Sequence, residues 1–251
     1  MSHEFRKRLA SGEMLVGTMV TLTAPPVAEI LAGVGYDWLF VDAEHAPFEA
    51  AELSALLQTV GDRLPCVVRV PSADEVPIKK ALDLGAAGII VPQVNTAEQA
   101  QRVVRFARYA PEGMRGVGLG RAQRYGLAFQ EYVERANAEI AVVVQAEHID
   151  AVNNIEAIVQ VPGVDAVLIG PYDLSASLGK MGQVNDPAVT DAIDHVTSVC
   201  RHAEMPLGIF GVTVEAVAPY LAQGYTLIVA GVDTLFLARA ATQMLREVRG
   251  E

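Results

Sequence analysis

Eight short runs of aliphatic and β-branched residues recur along the chain, and helical stretches lie between them. Within the runs the Val, Ile and Leu residues are nearly continuous rather than alternating with polar ones. That pattern is typical of strands buried on both faces, as in a parallel sheet. The eight predicted strands are MLVGTMV (14–20), WLFVDA (38–43), PCVVRV (65–70), AGIIVPQV (87–94), IAVVVQAE (140–147), DAVLIGP (165–171), PLGIFGV (206–212) and YTLIVAG (225–231).

The segments between these strands predict helices. Four glycines, Gly35, Gly85, Gly163 and Gly224, stand where a helix should end before the next strand begins, as glycine commonly does at helix C-termini. The predicted helices include residues 51–60, 75–85, 96–110, 153–161 and 186–203.

Eight strands that alternate with helices predict an α/β fold, a single (β/α)₈ TIM barrel, with residues 1–251 forming one domain. A length of 251 residues suits that fold. The alternative is an open doubly wound sheet, which would usually have a glycine-rich turn after its first strand, and no such turn follows residues 14–20.

One long connection, residues 111–140, precedes the fifth strand. It contains the glycine-dense stretch Gly116-Val117-Gly118-Leu119-Gly120. Because this stretch does not join a strand to a helix, we interpret it as a mobile loop rather than a phosphate-binding turn. Connections of this length often serve as lids or binding segments.

Composition and charge narrow the classes of partner. A formal charge of −11 argues against binding to a nucleic acid backbone. No apolar run reaches about 18 residues, so a membrane span is not expected, and the charged N-terminus does not resemble a secretory signal. Cys66 and Cys200 form neither a CxxC pair nor a zinc motif, which favours a reduced, cytoplasmic compartment. We expect a small-molecule partner.

In a barrel enzyme the active site lies at the C-terminal ends of the strands. There, Glu147 and Asp173 close adjacent strands, so that their carboxylates can converge. Two carboxylates with the remaining positions filled by water and substrate suit Mg²⁺ or Mn²⁺ better than zinc. The alternative is that Asp173 caps the helix that follows it.

Alternation along the fifth strand predicts the directions of three side chains. Gln145 and Glu147 are two residues apart and should share one face of the strand. His148 should point the other way and serve in packing or capping.

A second polar group follows the second and third strands. His45 lies just past a buried strand end beside Asp42, which could orient the imidazole for acid–base chemistry. Arg69 at the end of the third strand would need an anionic partner if buried. Either a substrate oxyanion or a structural pair with Asp42 or Glu44 would supply one.

The lysines argue against one mechanism. Lys7, Lys79, Lys80 and Lys180 all lie outside the predicted strands, whereas a Schiff-base aldolase needs a desolvated lysine within the barrel.

Several segments together resemble the HpcH/HpaI family of class II pyruvate aldolases, over essentially the whole chain. The segments that carry the resemblance are GYDWLFVDAEHAPFE (35–49), VVRVP (67–71), ALDLGAAGIIVPQV (81–94), RGVGLGRAQRYG (115–126), VVQAE (143–147) and VDAVLIGPYDLSASLG (164–179).

The resemblance implies a function for each matching position. Glu147 and Asp173 would bind a divalent cation (Mg²⁺, Mn²⁺ or Co²⁺), and His45 would be the acid–base residue. Arg69 would stabilise developing negative charge, and Asp42 or Asp83 would tune His45. The expected contacts to the 2-oxo acid are Gln145 and the backbone around Gly170, Pro171, Tyr172 and Asp173. A homohexamer whose neighbours complete each site is also implied.

Three positions depart from the family's pattern, and the role of one further residue, Phe210, has two alternatives. Ala43 stands where family members often have Gly, and His148 stands where they commonly have Thr. Gln123, in the long connection, stands where they often have Ser, and this last difference leaves the aldehyde preference open. Phe210 at the end of the seventh strand packs either against the substrate or in the core.

The predicted activity is reversible aldol cleavage of a 4-hydroxy-2-oxo acid to an aldehyde and pyruvate, or hydroxypyruvate, through an enolate. One alternative is a decarboxylase of a 2-oxo acid such as oxaloacetate, which would not need His45. Another is a non-catalytic protein that binds 2-oxo acids.

Overall fold

The chain closes eight parallel strands into a barrel. The computed structural model describes residues 4–251, and each strand pairs with its neighbours in chain order, β8 pairing with β1 to close the ring. The strands are β1 Leu15–Val20, β2 Trp38–Asp42, β3 Cys66–Arg69, β4 Gly88–Val91, β5 Ala141–Ala146, β6 Ala166–Ile169, β7 Leu207–Gly211 and β8 Leu227–Val232. The predicted (β/α)₈ barrel is confirmed, since all eight predicted runs contain a strand.

Helices alternate with the strands, and most of them pack on the outside of the barrel. They are α1 Phe5–Ala10, α2 Pro25–Val34, α3 Ala50–Val60, α4 Glu75–Asp83, α5 Ala97–Ala107, α6 Phe129–Glu139, α7 Ile149–Asn153, α8 Ile155–Ile158, α9 Pro171–Ser177, α10 Pro187–His202, α11 Val214–Ala222 and α12 Asp233–Arg249. Among the described residues, no helix combines the length and apolarity that crossing a bilayer requires.

The four glycines expected near helix ends all have positive φ, between 80° and 107°, which an L side chain rarely adopts. Two other predictions need correction. Residues 153–161 form no single helix, because α7 and α8 are separated at Asn154, whose φ and ψ of −111° and 9° are not helical. The connection 111–140 is not all loop, because α6 occupies its second half.

α1 fills the barrel interior at the end where the strands begin. Phe5 and Leu9 of this helix are fully buried with residues that point inward from the strands. The Phe5 and Trp38 rings lie 5.6 Å apart, and Trp38 lies against Gly17, where a Cβ would approach the indole to 2.7 Å. This packing closes the lower end, so that an open cavity remains at the C-terminal ends of the strands.

The long connection is attached to the barrel by side chains. Arg121 donates to the carbonyls of Leu57 and Leu84, each at 2.9 Å. Gln123 is fully buried, accepts the Gly120 amide and donates to the Tyr109 hydroxyl. The glycine-dense stretch, residues 116–120, comes just before these attachments in the chain and has an irregular conformation, as predicted for a loop.

α12 differs from the other helices in its surroundings. Every residue from 237 to 249 is exposed. Its apolar residues Leu237, Ala241, Met244, Leu245 and Val248 are spaced so that they form one stripe along the helix. This stripe is uncovered within one chain.

Candidate active site

A cavity of about 270 Å³ opens at the C-terminal end of the barrel. The predicted site residues that line it are Asp42, His45, Arg69, Gln145, Gly170, Pro171, Tyr172, Asp173 and Phe210. Met19, Phe40, Leu168 and Ile169 complete the lining. Sequence reasoning missed Met19, because a methionine in an apolar strand carries no signal that distinguishes a cavity wall from the core.

Asp42 and Arg69 end adjacent strands, and they are register partners in the β2–β3 pairing. Arg69 donates from Nε and Nη2 to the two carboxylate oxygens of Asp42, at 2.9 and 2.8 Å. Burial disfavours the charged carboxylate, but the bonds from Arg69 hold the pKa of Asp42 below its ordinary value. The guanidinium also lies 5.2 Å above the Phe40 ring and 3.2 Å from Glu44. A structural partner for Arg69 is therefore present within the chain.

His45 lies at the rim of the cavity, with two-thirds of its side chain exposed. Asp42 accepts the backbone amides of Glu44 and His45. The imidazole Nε2 lies 3.7 Å from a carboxylate oxygen of Glu44. Among the described residues no hydrogen bond joins Asp42 to the imidazole, since its oxygens accept from Arg69 and from the loop backbone. A tuning role of Asp42 stays a prediction.

Asp83 lies outside the cavity lining. At the end of α4, it pairs with Arg115 at 2.7 Å. Arg115 is buried in turn between Tyr109 and Tyr132, with its guanidinium 4.5 and 5.6 Å from their rings. Within one chain Asp83 thus anchors the long connection through Arg115, and its role toward His45 stays a prediction.

Glu147 follows β5 and is buried. One of its oxygens accepts the Gln93 amide at 2.9 Å, and the other accepts Nε2 of Gln145 at 2.7 Å, so Gln145 and Glu147 share a face as predicted. Gln93 holds its amide in this direction with a φ of +54°, unusual for a residue with a side chain. Burial raises the pKa of Glu147 to about 7, and the charges of Asp173 and Glu44 add to the increase.

Asp173 lies in the first turn of α9 and is exposed, with no side-chain capping bond at that helix start. His148, by contrast, caps α7: its Nδ1 accepts the Asp150 amide at 3.1 Å. The capping role predicted for His148 is confirmed.

The residues around Glu147 suit a divalent cation. Two uncharged donors hold the carboxylate, and the buried Oε1 of Gln145 has no hydrogen-bond partner. The absence of a side chain at Gly170 leaves space beside the Glu147 carboxylate, since a Cβ there would lie 3.1 Å from a Glu147 oxygen. Within residues 4–251 no three His, Cys, Asp or Glu side chains are grouped as a metal cluster, so a cation here would take further ligands from water or substrate, as Mg²⁺ commonly does.

Comparison with known proteins identifies the family. Residues 16–240 match the family model described as HpcH/HpaI aldolase/citrate lyase. The chain belongs to this family. It is a carbon–carbon lyase, and the resemblance noted from the sequence is confirmed.

Two curated relatives and one solved structure show the extent of the similarity. A 4-hydroxy-2-oxovalerate aldolase of Rhodococcus jostii is 42% identical over 244 residues, covering 96% of this chain and 94% of the relative. A hydroxypyruvate/pyruvate aldolase of Deinococcus radiodurans is 43% identical, covering 96% and 88%. The crystal structure of a family member from Burkholderia cenocepacia superposes with a TM-score of 0.94 at 38% identity, covering 98% and 99%.

Proposed function

We propose that this lyase cleaves 4-hydroxy-2-oxo acids reversibly to an aldehyde and pyruvate or hydroxypyruvate, with the help of a divalent cation. The observation that carries the proposal is the arrangement around one cavity of an acid–base candidate, His45, a buried guanidinium, Arg69, and the carboxylate of Asp173. The buried carboxylate of Glu147 lies directly behind this lining, where it accepts a hydrogen bond from Gln145. The names of the similar aldolases support the same reaction class.

Glu147 and Asp173 would hold the cation, and Gln145 orients the Glu147 carboxylate. The two carboxylates and their neighbour Glu44 create negative potential that favours a cation at this position. When bound, Mg²⁺, Mn²⁺ or Co²⁺ would act as a Lewis acid toward the 2-oxo acid.

The substrate carboxylate would face the backbone amides of Tyr172 and Asp173, in the first turn of α9. The first amides of a helix have no partner within the helix and can therefore donate to an anion. The buried, unpaired Oε1 of Gln145 is an acceptor, so it would face the cation rather than the substrate carboxylate. These groups would fix the 2-oxo acid end of the substrate, while Phe210 and Met19 form the apolar wall.

In the cleavage direction His45 would accept the proton of the C4 hydroxyl, directly or through a water. The C3–C4 bond then breaks, the aldehyde forms at C4, and the electron pair of the bond passes into the enolate of the 2-oxo acid. Arg69 stabilises the negative charge on the C2 oxygen. Return of a proton to C3 completes pyruvate.

The chain would act as a homo-oligomer, with a hexamer as the specific proposal. The uncovered apolar stripe on α12 supports self-association, because stripes of this kind are normally covered by a partner helix. A cytoplasmic location is supported by Cys66 and Cys200, which are both buried and unpaired.

The test is the release of pyruvate from 4-hydroxy-2-oxopentanoate, detected by coupling to lactate dehydrogenase. Pyruvate and acetaldehyde appearing in equal amounts would support the proposal. Turnover of oxaloacetate alone would favour the decarboxylase, and binding of pyruvate without turnover of any aldol would favour the non-catalytic protein.

A further inference from the structure

The side chain of Ser175 connects the first turn of α9 to the segment that follows this helix. Its hydroxyl donates to the Tyr172 carbonyl at 2.6 Å and accepts the Gly182 amide at 2.9 Å. Ser175 is fully buried. A main-chain bond from the Lys180 amide to the Ser175 carbonyl, at 2.7 Å, strengthens the connection.

The Tyr172 carbonyl belongs to the same peptide group as the Asp173 amide. Because a peptide group is planar, the direction of its carbonyl determines the direction of its N–H. A hydrogen bond to the carbonyl also polarises the peptide group and makes the N–H a stronger donor. Ser175 thus adds a hydrogen bond to a peptide group of α9 whose amide belongs to a cavity-lining residue.

The other end of the connection supports the Tyr172 ring. A Cβ at Gly182 would lie 3.3 Å from the Tyr172 hydroxyl, and the φ of Gly182 is +76°. The ring therefore lies close against this glycine backbone while it lines the cavity. Loss of the Ser175 hydroxyl would remove one hydrogen bond from this peptide group and one from the backbone that supports the ring, while the main-chain bond from Lys180 would remain.

We propose that Ser175 is a positioning residue for the 2-oxo acid. It does not touch the substrate. It holds the Tyr172–Asp173 peptide group and the Tyr172 ring in the arrangement that binds the substrate carboxylate. This inference rests on the proposed function, because it assumes that a 2-oxo acid occupies the cavity.

The chain offers a matched control on the same helix. Ser177 donates to the Leu174 carbonyl at 2.8 Å and accepts the Ile149 amide at 3.1 Å. Its hydroxyl therefore has the same pattern of two bonds, but it connects α9 to α7 and lies outside the cavity lining. Ser175→Ala and Ser177→Ala remove equivalent bonds, and only the first is next to the proposed carboxylate site.

The experiment is titration calorimetry of pyruvate into Mn²⁺-loaded protein, with steady-state kinetics and thermal unfolding of the same variants. For Ser175→Ala we expect the Kd of pyruvate and the KM of the aldol substrate to rise about three- to tenfold, the size of one net hydrogen bond. The kcat should change much less. Ser177→Ala should lower the Tm comparably and leave Kd and KM at the wild-type values. Ser175→Thr, which keeps the hydroxyl, should recover the Kd even if its Tm is lower.

Equal changes of Kd in Ser175→Ala and Ser177→Ala, or a Kd that follows Tm across the three variants, would overturn the inference. Amide hydrogen exchange of residues 171–182 tests the connection itself without ligand and should be faster in Ser175→Ala than in Ser177→Ala. If the wild-type protein exchanges as expected but does not bind pyruvate, the proposed function fails and the connection made by Ser175 stands.

Discussion

Asp42 and Arg69 form a buried ion pair with two hydrogen bonds, at 2.9 and 2.8 Å, between the ends of adjacent strands. The pair holds the guanidinium rigidly at the cavity wall. Because Asp42 also accepts two amides from the loop that carries His45, one carboxylate positions both the acid–base residue's backbone and the charged donor. Arg69 therefore stabilises the strand ends through its ion pair and also supplies the positive charge that the proposed reaction needs.

Arg69→Ala should reduce turnover about a hundredfold or more, because one preorganised donor to a developing oxyanion contributes roughly 3–4 kcal/mol. It should also lower the free energy of unfolding by about 3–5 kcal/mol, since Asp42 is left charged and buried. The measurements are steady-state kinetics and urea unfolding.

The double variant Asp42→Asn/Arg69→Ala is the control that separates these effects. The double variant has no unpaired buried charge. Much of the free energy of unfolding that Arg69→Ala loses should therefore be recovered, while turnover stays low. A near-normal rate for Arg69→Ala would remove Arg69 from the mechanism.

Glu147 predicts an unusual pH dependence of the metal-free protein. Its pKa is about 7 in the folded chain, above the ordinary value near 4.3 of an unfolded glutamate. The stabilising effect of the neutral carboxyl is therefore complete below about pH 4.3 and is lost as the pH rises through 7, an effect of about 4 kcal/mol. Thermal unfolding in chelator should show Glu147→Gln more stable than wild type at pH 8, with little difference at pH 5. An identical pH dependence of the two proteins would contradict this prediction.

His45→Ala should separate two reactions. Aldol cleavage needs a base for the C4 hydroxyl and should fall about a hundredfold or more, within the range for general-base catalysis. Decarboxylation of oxaloacetate needs no such base and should persist at a rate close to wild type. Both rates are measured by pyruvate formation on one preparation, and equal loss of both activities would mean that His45 has another role.

The α12 stripe should control assembly. Leu237→Glu/Leu245→Glu places two charges on the uncovered apolar face, so it should reduce the molecular mass measured by light scattering. Gln243→Glu, which adds a charge to the same helix outside the stripe, is the matched control. An unchanged mass for the double variant would show that the stripe is not an interface.

The strands were predictable because a parallel barrel buries both faces of each strand, which leaves continuous aliphatic runs. α6 could not be predicted in the same way, because its sequence, FQEYVERANAE, is largely polar and the helix buries only Ala136. The break at Asn154 follows from a local turn inside an otherwise helical pattern. Such details depend on tertiary contacts that hydrophobic periodicity does not record.

The site was predictable where chemistry and strand alternation coincide. Gln145 and Glu147 share a face as expected, and the pairing of Arg69 with Asp42 was one of two alternatives. The pairing of Asp83 with Arg115 was missed, since the two residues are distant in sequence. Ser175 gives no sequence signal, because its hydrogen bonds to Tyr172 and Gly182 arise only in the folded chain.

The most direct test of the proposed mechanism is cleavage of a 4-hydroxy-2-oxo acid by protein stripped with a chelator, followed by addition of Mg²⁺, Mn²⁺ or Co²⁺. Pyruvate release should disappear on stripping and return with metal, and Glu147→Ala should not recover at the same metal concentrations. Full activity of the stripped protein would contradict the roles proposed for Glu147 and Asp173.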